Sequence, residues 1–282
     1  MSTARSKVPP RPPLRFKWHR LKRRRDEPSF QRAALREGLV AAAPLEVDIR
    51  ATADGHWVCL HDPMLDRETT GTGTVASRSR VELEALRQRG EDGAILDDPP
   101  LFLDEIADAL RAVASWPPGL VQLDVKEALG SLDPEKLARF REALRGIETA
   151  FTIGGTDAAL VERLAATVPG VRKGFDPLHW HEKAMPSDAA GFRALAGATL
   201  AAMPDADVFY LRADLVLAAA EHGVELPRLV AARGALVDSW TIDADRPDLL
   251  ATLERLAALG CRQITSNDPL ALAALWDEAR CS

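Results

Sequence analysis

Two carboxylates and one imidazole stand close together early in the chain. Glu46 and Asp48 lie two positions apart in a stretch that alternates apolar and polar residues, and His61 follows Glu46 by fifteen positions. Alternate side chains of a strand point to the same face, so we expect the two carboxylates to share one small volume. Apolar residues flank this strand, which predicts that the pair is buried. Buried like charges repel each other, and a bound divalent cation relieves that repulsion.

A second, short strand is expected to deliver the imidazole to the same place. The segment 56–61 has the composition of a strand, and the preceding Asp54-Gly55 is typical of a tight turn between paired strands. His61 ends that segment. A metal-binding carboxylate pair beside a histidine, whose pKa lets it exchange protons near neutral pH, predicts hydrolysis of a phosphate ester.

The order and spacing of these residues resemble the signature of the glycerophosphodiester phosphodiesterase family. The signature elements Glu-x-Asp, Asp-Gly, His-Asp and Leu-x-Arg-x-Thr-x-Gly-x-Gly stand here at 46–48, 54–55, 61–62 and 65–73. The family's opening His-Arg is matched by His19-Arg20, its acid-x-Lys strand by Asp124-Val125-Lys126, and its last two strands by 239–242 and 264–269. The resemblance therefore covers nearly the whole chain.

The resemblance implies a role for each of these residues. The three acids Glu46, Asp48 and Asp124 would hold one Mg²⁺ or Ca²⁺. His19 and His61 would act as general acid and general base, Arg20 and Lys126 would bind the substrate phosphate, and Trp240 would line the substrate site. The implied reaction is metal-dependent hydrolysis of small glycerophosphodiesters to glycerol 3-phosphate and an alcohol.

Three positions depart from the family pattern. Leu21 stands where the signature has Gly after His-Arg, and Asp124 stands where the family usually has Glu. The loop that normally contributes another acid reads Asp26-Glu27-Pro28-Ser29, so Glu27 is a further candidate metal ligand displaced by one position. Because both histidines and three acids are kept, we interpret the chain as a divergent member rather than an inactive one.

Strand-like and helix-like segments alternate along the chain, which predicts an α/β fold of the (β/α)₈ TIM-barrel type. Eight strands are expected near 14–18, 44–50, 119–125, 149–153, 170–175, 207–211, 235–241 and 262–266. Helical periodicity is expected over 30–38, 103–114, 134–144, 158–166, 215–222 and 249–259, with Gly38 and Gly260 closing two of these helices. Residues 14–282 are expected to form one domain, with a small insertion at about 56–100 after the second strand that contains a polar helix around 79–89.

The candidate residues fall at the carboxyl ends of the predicted strands, where barrel enzymes build their active sites. His19 follows the first strand, the acid pair lies in the second, Asp124 and Lys126 close the third, and Trp240 closes the seventh. A second histidine pair, His179 and His181, falls in a loop after the fifth strand. We interpret that pair as structural or peripheral to substrate binding.

Charge is distributed unevenly along the chain. Residues 1–25 contain ten basic residues and no acid, whereas the other 257 contain 26 basic and 42 acidic residues. Residues 1–13 are expected to be a disordered or extended basic arm. The basic run that follows is either a solvated face or a surface that attracts phosphate or an anionic membrane, and peripheral contact with such a membrane through the basic N-terminal arm stays open. Nucleic-acid binding is not predicted, because few aromatic residues are interleaved with the basic ones.

The three cysteines are odd in number and scattered, which predicts reduced thiols and a cytoplasmic protein. No apolar leader or membrane-spanning segment is evident, so a soluble protein is expected. Two alternative functions stay open. One is a lysophospholipase D or phospholipase C type of enzyme that acts on lipids, and the other is a protein that binds phosphodiesters without turnover.

Overall fold

The computed structural model describes residues 13–177 and 185–281 and contains a closed barrel of eight parallel strands. The barrel strands are β1 (Arg15–Trp18), β2 (Leu45–Ala51), β4 (Val121–Val125), β5 (Phe151–Gly154), β6 (Arg172–Phe175), β7 (Val208–Arg212), β8 (Leu236–Trp240) and β9 (Gln263–Ser266). The barrel closes because β1 pairs with both β2 and β9. The TIM-barrel prediction is confirmed, and each predicted strand lies within two residues of the observed bounds.

Ten α-helices are present in the described part of the chain. They are α1 (Arg32–Val40), α2 (Arg80–Glu84), α3 (Leu103–Arg111), α4 (Pro134–Leu144), α5 (Ala158–Thr167), α6 (Ala189–Ala202), α7 (Ala213–Glu221), α8 (Leu226–Ala231), α9 (Leu249–Leu259) and α10 (Pro269–Cys281). The six predicted barrel helices are α1, α3, α4, α5, α7 and α9, while α6, α8 and α10 were not predicted. None of the helices in the described ranges is long and apolar enough to cross a membrane.

The two glycines expected to close helices behave differently. Gly260 ends α9 in the left-handed conformation, with φ of 111°, as predicted. The expectation for Gly38 was wrong, because α1 continues past it to Val40. A Cβ on Gly38 would lie 2.6 Å from a methyl group of Leu45, so this glycine lets α1 pack closely on β2.

The insertion after β2 begins with a shorter strand than expected. Asp54 and Gly55 form the predicted turn, with Gly55 at φ of 78°, but the antiparallel strand β3 contains only Trp57 and Val58. The chain leaves β2 after Val58, because the N–H of Cys59 bonds to the carbonyl of Leu101 instead. The prediction that this strand carries His61 was therefore wrong, and His61 lies in the loop that follows.

The predicted polar helix in the insertion is also shorter than expected. A capping box between Ser79 and Glu82 starts α2, which ends at Glu84. The following residues pair with the loop 65–73, which contains the Thr-x-Gly-x-Gly motif, through a bridge between Thr69 and Gln88. Once the backbone N–H and C=O groups of this segment bond to that loop, they are no longer available to extend the helix.

The interior of the barrel is polar, whereas its apolar core lies between the strands and the helices. TIM barrels usually fill this interior with layers of Val, Ile and Leu. Here a buried tyrosine, Tyr210, lies across the interior against Gly174 and Gly154. A Cβ on Gly174 would come within 2.6 Å of the Tyr210 ring, so the tyrosine depends on the missing side chain. The space above this ring opens into a cavity at the carboxyl ends of the barrel strands.

Candidate active site

A cavity of about 320 Å³ opens at the carboxyl ends of the barrel strands. Eight of the predicted site residues line it, namely His19, Arg20, Glu46, Asp48, His61, Asp124, Lys126 and Trp240. Trp240 reaches it from the end of β8. A larger cavity of about 480 Å³ lies outside the barrel beside α3 and α4, and it contains none of these residues.

Three acids on neighbouring strands form one cluster in this cavity. Glu46 and Asp48 project from β2, and Asp124 is the register partner of Asp48 on β4. One carboxylate oxygen from each lies within 4.8 Å of the others, and no other such group occurs in residues 13–177 and 185–281. Burial, together with the charges of Asp48 and Asp124, raises the pKa of Glu46 to about 8. Repulsion among these carboxylates, which the sequence predicts, therefore favours a proton on Glu46 in the metal-free protein.

The cluster fits a hard divalent cation. Its donors are all carboxylate oxygens, which suit Mg²⁺ or Ca²⁺ better than a softer metal. Oδ2 of Asp48 is buried and accepts no hydrogen bond, although Nε of Arg20 lies 2.8 Å away. A buried oxygen without a hydrogen bond is costly unless something else satisfies it, and a cation held by the three acids would do so.

Two cations border the acids. Nζ of Lys126 lies 2.8 Å from Oδ2 of Asp124 and 3.1 Å from Oδ1 of Asp48. Nε of Arg20 lies 2.8 Å from Oδ2 of Asp48 without forming a hydrogen bond. Burial acts to raise the pKa of Asp48, but the charges of Lys126 and Arg20 outweigh it and hold that pKa below its usual value. Asp48 is therefore ionised, unlike its neighbour Glu46.

The loop after β1 has a strained backbone that brings Arg20 to the acids. His19, Arg20 and Leu21 form a short 3₁₀ helix in which Arg20 has φ of 53° and Leu21 has φ of 60°. Residues other than glycine rarely adopt this left-handed conformation, and the family pattern has Gly at the position of Leu21. The fully buried side chain of Leu21 packs in the core and holds the loop there.

A chain of hydrogen bonds fixes the imidazole of His19. Asp243 accepts hydrogen bonds from the side-chain amide and the backbone N–H of Asn267, at 3.0 Å and 2.8 Å. This turns Oδ1 of Asn267 towards Nδ1 of His19, 2.8 Å away. An amide oxygen only accepts, so Nδ1 carries the proton and Nε2 faces the acids, 3.9 Å from Oε2 of Glu46. Burial and the charge of Arg20 lower the pKa of His19.

A second set of contacts holds His61. Its Nδ1 lies 2.8 Å from Oδ1 of Asp62, whose other oxygen accepts a 2.6 Å hydrogen bond from Arg67. That bond from Arg67 holds the pKa of Asp62 well below its usual range. Oε2 of Glu68 accepts hydrogen bonds from the backbone N–H groups of His61 and Asp62, at 3.0 Å and 2.7 Å. The motif at 65–73 thus supplies Arg67 and Glu68, which hold Asp62 and the backbone of His61 in place.

Arg50, at the carboxyl end of β2, joins the two sides of the cavity. Its guanidinium donates to the carbonyl of His61 at 2.8 Å and to the carbonyl of Lys126 at 2.6 Å. Five residues that hold the site together were not predicted to have a role, namely Arg50, Asp62, Glu68, Asn267 and Asp243. Asp62, Glu68 and Asn267 lie within matched motifs, whereas nothing in the sequence marks Asp243.

Glu27 lies apart from the acid cluster. Its two oxygens contact Nε and Nη2 of Arg23, at 2.9 Å and 2.8 Å. Burial acts to raise the pKa of Glu27, but the hydrogen bonds from Arg23 outweigh it and leave that pKa below its usual value. The structure therefore does not bring this candidate ligand to the other three acids.

The basic run near the cavity is largely paired. Lys22 is buried against Glu91, Arg23 also contacts Glu37, and Arg25 contacts Asp245. Residues 1–12 of the predicted basic arm lie outside the described residues, as do His179 and His181. Cys59 and Cys261 are free thiols, and burial raises the pKa of both.

The chain was compared with protein families and with curated proteins. The model of the glycerophosphoryl diester phosphodiesterase family matches residues 29–271. A curated relative, named Probable glycerophosphodiester phosphodiesterase 1 of Mycobacterium tuberculosis, is 32% identical over 149 residues. That match covers 50% of this chain and 52% of the relative, so it spans about half the length of the curated protein.

Solved structures share the fold at low sequence identity. An Oleispira antarctica phosphodiesterase, in complex with the product sn-glycerol-3-phosphate, has a TM-score of 0.67 at 20% identity, covering 95% of this chain and 97% of that one. A glycerophosphodiester phosphodiesterase from Agrobacterium tumefaciens has a TM-score of 0.64 at 19% identity, covering 92% of this chain and 99% of that one. Together with the family match across most of its length, this shows that the chain belongs to the glycerophosphoryl diester phosphodiesterase family.

Proposed function

We propose that this protein hydrolyses small glycerophosphodiesters to glycerol 3-phosphate and an alcohol, using one divalent cation. The observation that carries the proposal is the meeting of the three-acid cluster with two histidines in a single cavity. Family membership supports the reaction class. The glycerol 3-phosphate bound as product in the Oleispira antarctica protein supports the proposed product.

Glu46, Asp48 and Asp124 are the proposed ligands of the cation. When bound, the cation would supply positive charge against the nonbridging oxygens of the phosphate. Arg20 and Lys126 lie beside the same acids and would neutralise the remaining charge of the diester. The side chains of Arg20 and Lys126 each already contact one of the proposed metal ligands. Positive charge for an anionic substrate is therefore in place before the substrate binds.

His19 and His61 are the proposed proton carriers. Each has Nδ1 engaged by a fixed oxygen, which leaves Nε2 to exchange a proton with substrate. One histidine would accept the proton of the attacking glycerol hydroxyl group, and the other would donate a proton to the leaving alcohol. Water would then open the cyclic phosphate that forms and give glycerol 3-phosphate. Asn267 and Asp62 hold the two rings in orientation for these transfers.

The cavity favours a small soluble diester over a lipid. Its volume of about 320 Å³ is at the lower end of the range for ligand pockets. Its floor is polar, with Lys17, Gln122 and Thr265 facing the space where an acyl chain would need apolar contacts. The basic run at the mouth is paired with acids, which leaves little free charge there for an anionic membrane.

Purified protein incubated with glycerophosphocholine, glycerophosphoethanolamine or lysophosphatidylcholine tests this proposal. Each reaction is run with Mg²⁺, with Ca²⁺ and with EDTA, and glycerol 3-phosphate and choline are measured. We expect glycerol 3-phosphate from the two soluble diesters, only when a cation is present. Choline release from the lysolipid alone would favour the lipid enzyme, and silence on all three substrates would favour a binding protein.

A further inference from the structure

A buried lysine lies on the floor of the substrate cavity and has no place in the proposed chemistry. Lys17, in β1, is 2% exposed and lines the cavity below the acids. Its Nζ lies 2.5 Å from Oδ2 of Asp238 and hydrogen-bonds to Oε1 of Gln122. The ammonium also sits 4.5 Å from the centre of the Tyr210 ring, within the range of a cation–π contact.

The partner of this lysine is held as firmly as the lysine itself. Asp238, in β8, is fully buried, and its oxygens accept hydrogen bonds from Thr265 at 2.8 Å and from Gln263 at 2.7 Å. Four strands of the barrel therefore contribute to one charge pair on the cavity floor. The tyrosine under the ammonium in turn needs Gly154 and Gly174 for its space.

Stability does not explain this arrangement. Replacing a buried ion pair by apolar residues of similar volume is often neutral or stabilising, because removing two charges from water is unfavourable. The interiors of most TIM barrels are filled by branched apolar side chains at this level. The positive charge of Lys17 reaches Glu46 and His19, where it favours an ionised carboxylate and a neutral imidazole.

We propose that Lys17 is a positioning residue whose charge, set against that of Asp238, balances the cavity's affinity for a divalent cation against its affinity for the anionic substrate. A positive charge below the acids weakens the field that attracts the cation and strengthens the field that attracts a phosphate. Asp238 opposes both effects. The inference rests on the proposed function in taking the three acids as the cation site.

The test uses two matched variants whose effects have opposite signs. In Lys17→Met we expect Mn²⁺ to bind about tenfold more tightly, and inorganic phosphate in EDTA about tenfold more weakly. In Asp238→Asn both shifts should reverse. The double variant, which removes both charges, should return both affinities close to those of the wild type. Isothermal titration calorimetry measures all of these affinities without turnover.

A purely structural role predicts a different pattern. If the pair only supports the fold, both single variants would lose affinity for Mn²⁺ and for phosphate together, and this result would overturn the inference. Affinities that stay unchanged in both variants would overturn it as well. Lys17→Arg, which keeps the charge, should resemble the wild type in both titrations.

A second readout keeps the test decisive if a single variant folds poorly. Tyr210 is the only tyrosine of the chain, so protein labelled with 3-fluorotyrosine gives one ¹⁹F resonance from the cavity floor. Phosphate should shift this resonance at similar concentrations in the wild type and in the double variant, and loss of the shift in the double variant would overturn the inference. Failure of the wild type to bind Mn²⁺ would contradict the proposed cation site, while the phosphate titrations would still decide the role of Lys17.

Discussion

The backbone N–H of Arg20 donates a 2.7 Å hydrogen bond to Oε2 of Glu46. This bond ties the loop after β1 to the strand that carries two of the three acids. It is made by a residue in the left-handed conformation, so the strained turn and the acid cluster depend on each other.

Glu46→Gln should remove the response to divalent cations while preserving the fold. With a pKa of about 8, Glu46 is mostly protonated in metal-free protein at pH 7, and glutamine reproduces that neutral state. We expect Mg²⁺ or Ca²⁺ to raise the melting temperature of the wild type but not of the variant. Glu142→Gln, at an exposed position of α4, is the control and should respond as the wild type does. A full response in Glu46→Gln would show that the cation binds elsewhere.

Cation affinity should rise steeply with pH up to about 8. Because the folded, metal-free protein holds a proton on Glu46 below that pH, the cation must displace it. The apparent affinity should therefore fall by about tenfold for each pH unit below 8, and level off above it. Calorimetric titrations at pH 6, 7, 8 and 9 measure this dependence. A flat profile would mean that the raised pKa of Glu46 is not coupled to cation binding.

The stability of the metal-free protein should change with pH in the opposite sense. The pKa of Glu46 is raised from 4.5 to about 8, so the folded state binds more protons than the unfolded state between these values. The contribution of this group to stability is complete below 4.5 and is lost as the pH rises through 8. Urea unfolding in EDTA at several pH values tests this. In Glu46→Gln this part of the pH dependence should be absent.

Asp62→Asn should lower turnover by about a hundredfold with little change in stability. The carboxylate of Asp62 fixes the ring of His61, and a positioned acid or base contributes about 10² to 10⁴ in rate. The loss should fall on kcat with KM little changed, which a packing defect in the cavity would not cause. Asp66→Asn, an exposed change in the same loop, is the control. Equal activity in the two variants would remove Asp62 from the account.

Leu21→Gly should destabilise the protein by about 2 kcal/mol, although it relieves backbone strain. Glycine would remove about 1 to 2 kcal/mol of left-handed strain, but deleting a fully buried leucine costs more. Ala42 has φ of 50° and is exposed, so Ala42→Gly, which loses no buried side chain, should instead be neutral or stabilising. Chemical denaturation compares the two. Stabilisation by Leu21→Gly would mean that its side chain does not hold the loop.

The strands and the first two acids could be predicted because their signals are local. Two acids at alternate positions of an apolar strand indicate that both side chains share one face and hold a metal, whereas the third acid, Asp124, was assigned through the family resemblance. The Lys17–Asp238 pair could not be predicted, since the residues are 221 positions apart and meet only when the barrel closes. The hydrogen bond from Nδ1 of His19 to Oδ1 of Asn267 depends on closure between β1 and β9 in the same way.

Other predictions failed where a local contact competed with the pattern. Glu27 has the residue type of a metal ligand, but Arg23 lies four positions before it and takes both oxygens. The strand expected to carry His61 ends early, because the backbone N–H of Cys59 donates its hydrogen bond to the carbonyl of Leu101 rather than to β2. In each case the sequence contained the competing residue, but only the three-dimensional structure shows which contact forms.

The measurement that tests the account most directly is ³¹P NMR of glycerophosphocholine incubated with the wild type and with Glu46→Gln. We expect a glycerol 3-phosphate resonance that grows with the wild type when Mg²⁺ or Ca²⁺ is present, and that is absent in EDTA and in the variant. Equal conversion by Glu46→Gln, undiminished conversion in EDTA, or a phosphocholine resonance in place of glycerol 3-phosphate would contradict it.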